Sequence, residues 1–359
     1  MVILHIASLT DVLYSGVGVV VPQYIIAQQK KATVGLMNIS NDKITGVRHQ
    51  IEYKKPFTVD SLPEPFRNST LVIFHEVYYW EYLQISDVLV QNKIPYIIVP
   101  HGCLTREAQS KKRLKKSMAN LLFFHHYINH AFAIQCLSER EFANTHFQNE
   151  KFIAINGVNS PVKTKTAFNQ TRVKLVYIGR LDIHTKGLDL MVEAVKILSD
   201  FLRTANCTLH IYGPGSQRER TTIESWMYNK KIEDIVILNH EISGESKENL
   251  LLSSDIFIQT SRTEAMPMGI LEALSYGIPC IVTEGTSLSE IIKTTDAGWP
   301  AKTAADSIAA AIQKAIEERS EWHDKSIHAV RAIQRQFEWD KVTDQTLKKY
   351  NDIMTAMNN

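Results

Sequence analysis

Short apolar, β-branched runs alternate along this chain with stretches whose apolar positions recur every three to four residues. Val2–Ser8 (VILHIAS), Thr70–Glu76 (TLVIFHE), Pro95–His101 (PYIIVPH) and Phe132–Ser138 (FAIQCLS) have the unbroken apolar character of strands buried on both faces. Helical patterns such as VPQYIIAQQKK and YLQISDVLVQNK lie between them. A second series follows: Val173–Arg180, Cys207–Gly213, Ile235–Glu241, Asp255–Ser261 and Pro279–Gly285 as strands, with GLDLMVEAVKILSDFL and DSIAAAIQKAIEERS as amphipathic helices. This alternation predicts an α/β fold of parallel sheets covered by helices. From Ile155 to Arg172 the chain is polar, carries Gly, Pro and Asn, and loses its periodicity, which marks a linker. Two doubly wound, Rossmann-like domains are therefore expected, at 1–160 and 161–342, with a helix at about 343–359 packing back on the first. Facing each other, two such domains give a cleft, and ligands of such sheets bind beyond the carboxyl ends of the strands.

Bulk properties narrow the function. The 359 residues carry a net charge of +2 with 44% hydrophobic residues, which supports sizeable cores and gives no global support for nucleic-acid binding. Cys103, Cys136, Cys207 and Cys280 form no CxxC or zinc-ligand spacing and read as thiols in a reducing cytoplasm. The apolar start, MVILHIASL, lacks a basic leader and a cleavage site, so a buried first strand explains it better than a signal peptide. No run approaches the roughly 20 apolar residues of a spanning helix.

The strand ends hold the candidate chemistry. Gly16 and Gly18 stand where the first strand leads into a helix, a place where backbone N–H groups can approach an anion. The pattern is not GxGxxG, which argues against a dinucleotide site, and a plain turn glycine is the competing reading. His75, Glu76 and Tyr78 follow one strand, with packing of Tyr78, Tyr79 and Trp80 as the simpler explanation. His101, just before Gly102, and Arg106 follow another. Arg180 ends the first strand of the second series, and Lys186 comes six residues later at a helix start. A planar guanidinium, a mobile ammonium and a helix N-terminus together suit a diphosphate; a pair of surface cations is the bland alternative. In SRTEAMPMGILEALSYGIP, Glu264 falls in the loop and Glu272 in the helix, with Pro267 expected in its first turn and Gly277 and Pro279 closing it. Free N–H groups between Ala265 and Gly269 accompany two carboxylates able to accept from hydroxyl pairs. Acids complementing a helix dipole would explain one glutamate, but not Arg180 and Lys186.

At these residues the chain resembles the retaining glycosyltransferases of family 4, which adopt the two-domain GT-B fold. Glu264 and Glu272 match the family's E-x7-E pair, GRLDIHTKGLDL its donor-diphosphate segment, INGV its interdomain stretch and FEWDKVTDQTLKKY its C-terminal segment. The likeness is strong in the second domain and looser in the first. It implies that Arg180 and Lys186 bind the donor diphosphate, that Glu272 binds the ribose hydroxyls, that Leu271 belongs to the donor-binding set, and that Glu264 holds the donor sugar. The backbone of Ala265, Met266, Pro267 and Met268 would join Glu264 there. His101 matches the family's cleft histidine, which contacts the transferred sugar, and Glu264, His101, Arg180 and Lys186 are the implied catalytic set. Gly213 and Ile242, in the NHEISG turn, would flank the base. The loop at Gly16 and Gly18 would lie against the donor phosphate, although the family usually has a Gly-Gly pair where this chain has Ser15-Gly16 and then Gly18.

The implied reaction is transfer of a sugar, with retention, from a UDP- or GDP-sugar to a glycan or polyprenyl-linked saccharide, in bacterial O-antigen (lipopolysaccharide), capsule or exopolysaccharide synthesis. His75, Glu76, Tyr78 and Arg106 are the acceptor-side candidates. No D-x-D triplet occurs, so cations are expected in place of a metal and no cofactor is expected. The basic segment 111–116, followed by Leu121, Leu122, Phe123 and Phe124, suits an anionic membrane surface, against the alternative of a solvated helix face. Peripheral association with the inner face of the cell membrane follows from that reading. A sugar-nucleotide epimerase or hydrolase on the same fold, or a non-catalytic nucleotide-sugar binder, would share the donor residues.

Overall fold

The computed structural model describes residues 1–10, 16–110, 118–168 and 171–358. They form two compact units, one of residues 1–157 with 339–359 and one of residues 158–338.

The first unit holds seven strands: β1 Val2–Ala7, β2 Thr33–Asn38, β3 Gln50–Glu52, β4 Leu71–His75, β5 Tyr96–Val99, β6 Ala133–Cys136 and β7 Glu150–Ile153. All pair in parallel, in the order β3-β2-β1-β4-β5-β6-β7. β1, β4, β5 and β6 are the four strands expected from apolar runs. Their side chains are almost wholly buried because helices cover both faces. β2 runs through Gly35, where a Cβ would meet the Phe66 ring at 2.7 Å. The helix Trp339–Asn358 belongs to this unit. Its Tyr350 hydroxyl donates to Gln135 Oε1 at 2.6 Å, and its Trp339 ring packs edge-on against Tyr24.

The second unit holds β8 Val173–Ile178, β9 Cys207–Tyr212, β10 Val236–Leu238, β11 Ile256–Gln259, β12 Cys280–Thr283 and β13 Gly298–Ala301. Their order is β10-β9-β8-β11-β12-β13, again parallel throughout. The sequence order reverses between β8 and β11, so successive crossovers leave toward opposite edges there and a crevice opens at the carboxyl ends. The helix Ala305–Glu317 buries Ile308, Ile312, Ala315 and Ile316, a stripe at helical spacing that faces the core. The single helix expected over Gly187–Leu202 is two, Leu188–Ile197 and Ser199–Thr204, because Leu198 leaves helical geometry at φ −96°, ψ 10°.

The stretch read as a linker is laid down on the second unit for much of its length. Lys165 is buried, with its Nζ 3.4 Å from Asp255 Oδ1 and 3.2 Å from the Leu252 carbonyl. Its N–H donates to the Tyr276 carbonyl at 2.8 Å. Burial lowers the Lys165 pKa, and Asp255 opposes that shift.

Candidate functional site

Two loops meet at the switch point of the second unit. After β8 comes Arg180, exposed, then Asp182, whose carboxylate caps the short helix Ile183–Lys186 by accepting from Thr185 N at 3.0 Å. Gly187 ends that turn in the left-handed region at φ 64° and starts the next helix at once. After β11, Thr260 Oγ1 donates to the carbonyls of Lys186 and Gly187 at 3.1 and 3.0 Å. Arg262 grips Asp189 through two bonds of 2.7 and 2.6 Å and donates to the His184 carbonyl at 2.8 Å. Such a bidentate fork fixes direction as well as distance.

This bracing brings Lys186 and Glu264 into an ion pair across 78 residues of sequence. Glu264 Oε1 also accepts from Gln259 Nε2 at 3.0 Å and Ser261 Oγ at 2.9 Å. One oxygen thus carries three donors, while no described residue donates to the other. The Glu264 N–H is tied to the Gly285 carbonyl at 3.0 Å. Beyond it, the helix Met268–Ser275 begins with Pro267 as its N-cap, one residue earlier than the first-turn position expected. The N–H groups of Ile270 and Leu271 turn back to the Pro267 carbonyl at 3.1 and 3.4 Å. Leu271 therefore offers no ligand contact: its side chain is fully in the core and its N–H is already used. Ala265, Met266 and Met268 flank the helix start, which keeps its first N–H groups free of intrahelical partners.

Glu272, partly exposed, pairs with Lys247 on the helix Gly244–Ser253. Sequence reasoning missed Lys247. It sits in an ordinary polar stretch, GESKENL, and only the tertiary structure sets it against Glu272. Gly213, after β9, leaves no room for a Cβ beside the Gly179 carbonyl, so the ends of β8 and β9 stand close. Ile242 is half-buried in the turn before the helix of Lys247.

In the first unit, His101 follows β5 at φ 49°. Its Nε2 is 3.0 Å from His75 Nδ1. His75 is only 2% exposed and cannot meet an acceptor directly, which corrects its assignment as an acceptor-side residue. Glu76 accepts from the Tyr79 hydroxyl at 2.7 Å. Tyr78 donates to Asn120 at 3.0 Å and accepts from Gln109 at 2.8 Å. Arg106 is exposed at the start of the helix Arg106–Ser110. Gly16 and Gly18 lie in the first turn of the helix Gly16–Gln28, and Ser15 lies outside the described residues. So do the basic residues 111–116 and the side chain of Leu121. Beside them, Met118, Leu122 and Phe123 are exposed, and Phe123 packs edge-on against the exposed Trp80 with ring centroids 5.0 Å apart. No helix among the described residues is long and apolar enough to cross a membrane.

Residues 160–333 match the family model described as glycosyl transferases group 1. This stretch is similar to the group 1 glycosyl transferases. Arg180, Lys186, Gly213, Ile242, Glu264 and Glu272 all lie inside the matched stretch, whereas His101 lies outside it. An uncharacterised glycosyltransferase of Methanocaldococcus jannaschii is 26% identical over 187 residues, covering 51% of this chain and 46% of the relative. A GDP-mannose-dependent α-(1-6)-phosphatidylinositol dimannoside mannosyltransferase of Mycobacterium tuberculosis is 28% identical over 177 residues, covering 49% of this chain and 43% of the relative. The matched stretch thus spans less than half the length of these curated relatives. Among solved structures, Anabaena HepE in complex with UDP and glucose superposes with a TM-score of 0.74 at 13% identity, over 98% of this chain and 100% of that one. At that identity the likeness speaks for fold, and the fold is GT-B.

Proposed function

We propose that this chain transfers a sugar from a nucleotide-diphospho-sugar to a glycan or lipid-linked saccharide, with retention of anomeric configuration and without a metal. The observation that carries the reading is the pairing of Lys186 with Glu264 and of Lys247 with Glu272 at the carboxyl ends of one parallel sheet. A diphosphate would draw Lys186 from Glu264 and recruit the exposed Arg180. Glu264, held by Gln259 and Ser261, keeps one oxygen to accept from sugar hydroxyls. Glu272 would accept from the ribose hydroxyls, with Lys247 holding its carboxylate in place.

Cleaving the sugar–phosphate bond builds negative charge on the leaving phosphate, which Arg180, Lys186 and the nearby helix N-termini would stabilise. In front-face transfer the leaving phosphate takes the acceptor's proton, so Glu264 orients the sugar and forms no adduct. The resemblance assigns His101 to the transferred sugar. HepE, solved with UDP and glucose, and the GDP-mannose-dependent relative support a nucleotide-sugar donor. The acceptor side is assigned to the first unit, through Glu76, Tyr78 and Arg106. Bacterial surface polysaccharide synthesis on the cytoplasmic side of the membrane is the proposed setting. The exposed apolar group of Trp80, Met118, Leu122 and Phe123 would rest on an anionic bilayer, and the basic segment 111–116 comes just before Met118 in sequence. Liposome flotation reads this last point: equal binding to neutral and anionic vesicles, or none, refutes it.

A thermal-shift screen of UDP-, GDP- and ADP-sugars, followed by radiolabelled transfer, tests the main reading. One donor class should stabilise the protein and pass label to a saccharide acceptor. Absence of any shift together with absence of transfer would overturn the proposal, and release of free sugar without transfer would identify a hydrolase.

A further inference from the structure

Three histidines of the first unit form one hydrogen-bonded line across its sheet. His5 Nδ1 lies 2.8 Å from His75 Nε2, and His75 Nδ1 lies 3.0 Å from His101 Nε2. The strand register produces the line. His5 of β1 stands opposite Ile73 of β4, and His75 lies two residues beyond Ile73. His75 stands in turn opposite Val99 of β5, and His101 lies two residues beyond Val99. Between β1 and β4 the step of two keeps His5 and His75 on one face of the sheet, and the left-handed turn at His101, just past β5, brings its Nε2 to His75 Nδ1. The rings of His5 and His75 are stacked at 5.1 Å, and those of His75 and His101 lie 5.3 Å apart.

All three imidazoles are held neutral. Burial lowers His5 to about 4 despite the opposing hydrogen bond from Gln28, and burial lowers His101 to about 4. Burial, reinforced by both neighbouring rings, pushes His75 well down. A neutral imidazole has one donor nitrogen and one acceptor nitrogen. In such a line, fixing the donor at one end fixes it in every ring.

The far end is fixed. Gln135 donates through its amide nitrogen to the Ala154 carbonyl at 3.0 Å, so its oxygen must be the acceptor for the Tyr350 hydroxyl at 2.6 Å. With that proton committed, Tyr24 is the donor in the 2.9 Å contact between the two hydroxyls. Both tyrosine oxygens then offer only lone pairs to Gln28, which lies near them outside full hydrogen-bond geometry. The Gln28 amide N–H2 belongs on that side, and its oxygen faces His5 Nε2 at 2.9 Å. It follows that His5, His75 and His101 each carry their proton on Nε2.

We infer that His5 and His75 are positioning residues that hold His101 in the Nε2–H form, so that its Nδ1 meets a ligand as a hydrogen-bond acceptor for a hydroxyl group. The ligand side of this inference rests on the glycosyl-transfer reading, in which that hydroxyl belongs to the sugar. The protonation pattern itself does not depend on it.

Two measurements separate the parts. Long-range 1H–15N spectra of the labelled full chain at neutral pH report which nitrogen of each imidazole is protonated. Nε2–H in all three rings is expected; Nδ1–H in His101 would overturn the inference. Gln28→Met removes the anchor and should let His101 populate both forms, lowering kcat about tenfold with little change in KM. A folded Gln28→Met chain with the wild-type pattern and wild-type kcat would refute the relay. If neither chain transfers sugar while the spectra behave as expected, the functional reading fails and the relay stands.

Discussion

Gly187→Ala is the sharpest test of how the second unit is braced. At φ 64° the residue lies in the left-handed region, where a side chain costs about 1–2 kcal/mol. A Cβ there would also stand far inside van der Waals distance of the Thr260 carbonyl oxygen, which is backbone and cannot swing aside. Relief requires the end of β11 to move away. That motion breaks the two bonds from Thr260 Oγ1 to the Lys186 and Gly187 carbonyls, at about 1 kcal/mol each. The total is roughly 3–4 kcal/mol, and a unit of this size loses about 2–4 °C per kcal/mol, so its melting transition should fall by roughly 6–16 °C. The same displacement carries the loop of Glu264 away from Lys186 and Arg180 and so disorganises the proposed diphosphate site, and affinity for a nucleoside diphosphate should drop with it. Differential scanning calorimetry and isothermal titration with UDP or GDP read both effects. Gly16→Ala serves as the control, because a Cβ there meets no described residue within 4 Å, and it should leave the melting temperature within about 2 °C of wild type. A Gly187→Ala protein that melts with the wild type and binds the nucleotide equally well would refute the reasoning.

Lys186→Ala should weaken donor binding and turnover together, and Glu272→Ala and Lys247→Ala should chiefly weaken binding, each by about 10- to 100-fold in titration, since each removes a charge-assisted contact. Asp255→Ala should destabilise the second unit by about 3–5 kcal/mol in urea unfolding, because it strands the buried Lys165 ammonium. Acid should destabilise the first unit: unfolded His5 takes up a proton near 6.5, whereas the folded ring, packed by Gln28, Tyr24 and His75, refuses it until about 4. Stability then falls as pH drops through that window, by about 2 kcal/mol at pH 5 from His5, and His5→Asn should flatten the dependence of the urea midpoint. Transfer activity should survive EDTA; loss that Mg²⁺ restores would contradict the metal-free assignment.

The fold was legible where burial imposes a plain signal. β4, β5, β6, β11 and β12 are buried along their whole length, and β1, β8, β9 and β10 in part, so their apolar runs stand out. β2, β3, β7 and β13 do not announce themselves. β2 carries Gly35 against a phenylalanine, β3 has only three residues, β7 is a partly exposed edge (EKFI), and β13 reads GWPA, with two residues that disfavour strands. The charged residues of the second unit were legible because motif spacing within one loop and helix survives in sequence. Lys247 was not, since a lysine on a polar helix looks like any other. The line of His5, His75 and His101 was equally hidden: the intervals of 70 and 26 residues mean nothing until the register of three parallel strands is known.

The division of the chain also bears on how the molecule is made. The second unit is an insertion within the first, and residues 339–359 leave the ribosome after all of it. Until they do, Tyr24 and Gln135 lack Tyr350, and Gly157 lacks the Trp339 ring it packs against. The second unit can close during synthesis, whereas the first must wait with part of its apolar face uncovered. A chain ended at residue 338 and released should therefore resist protease across 158–338 and be cut within 1–157.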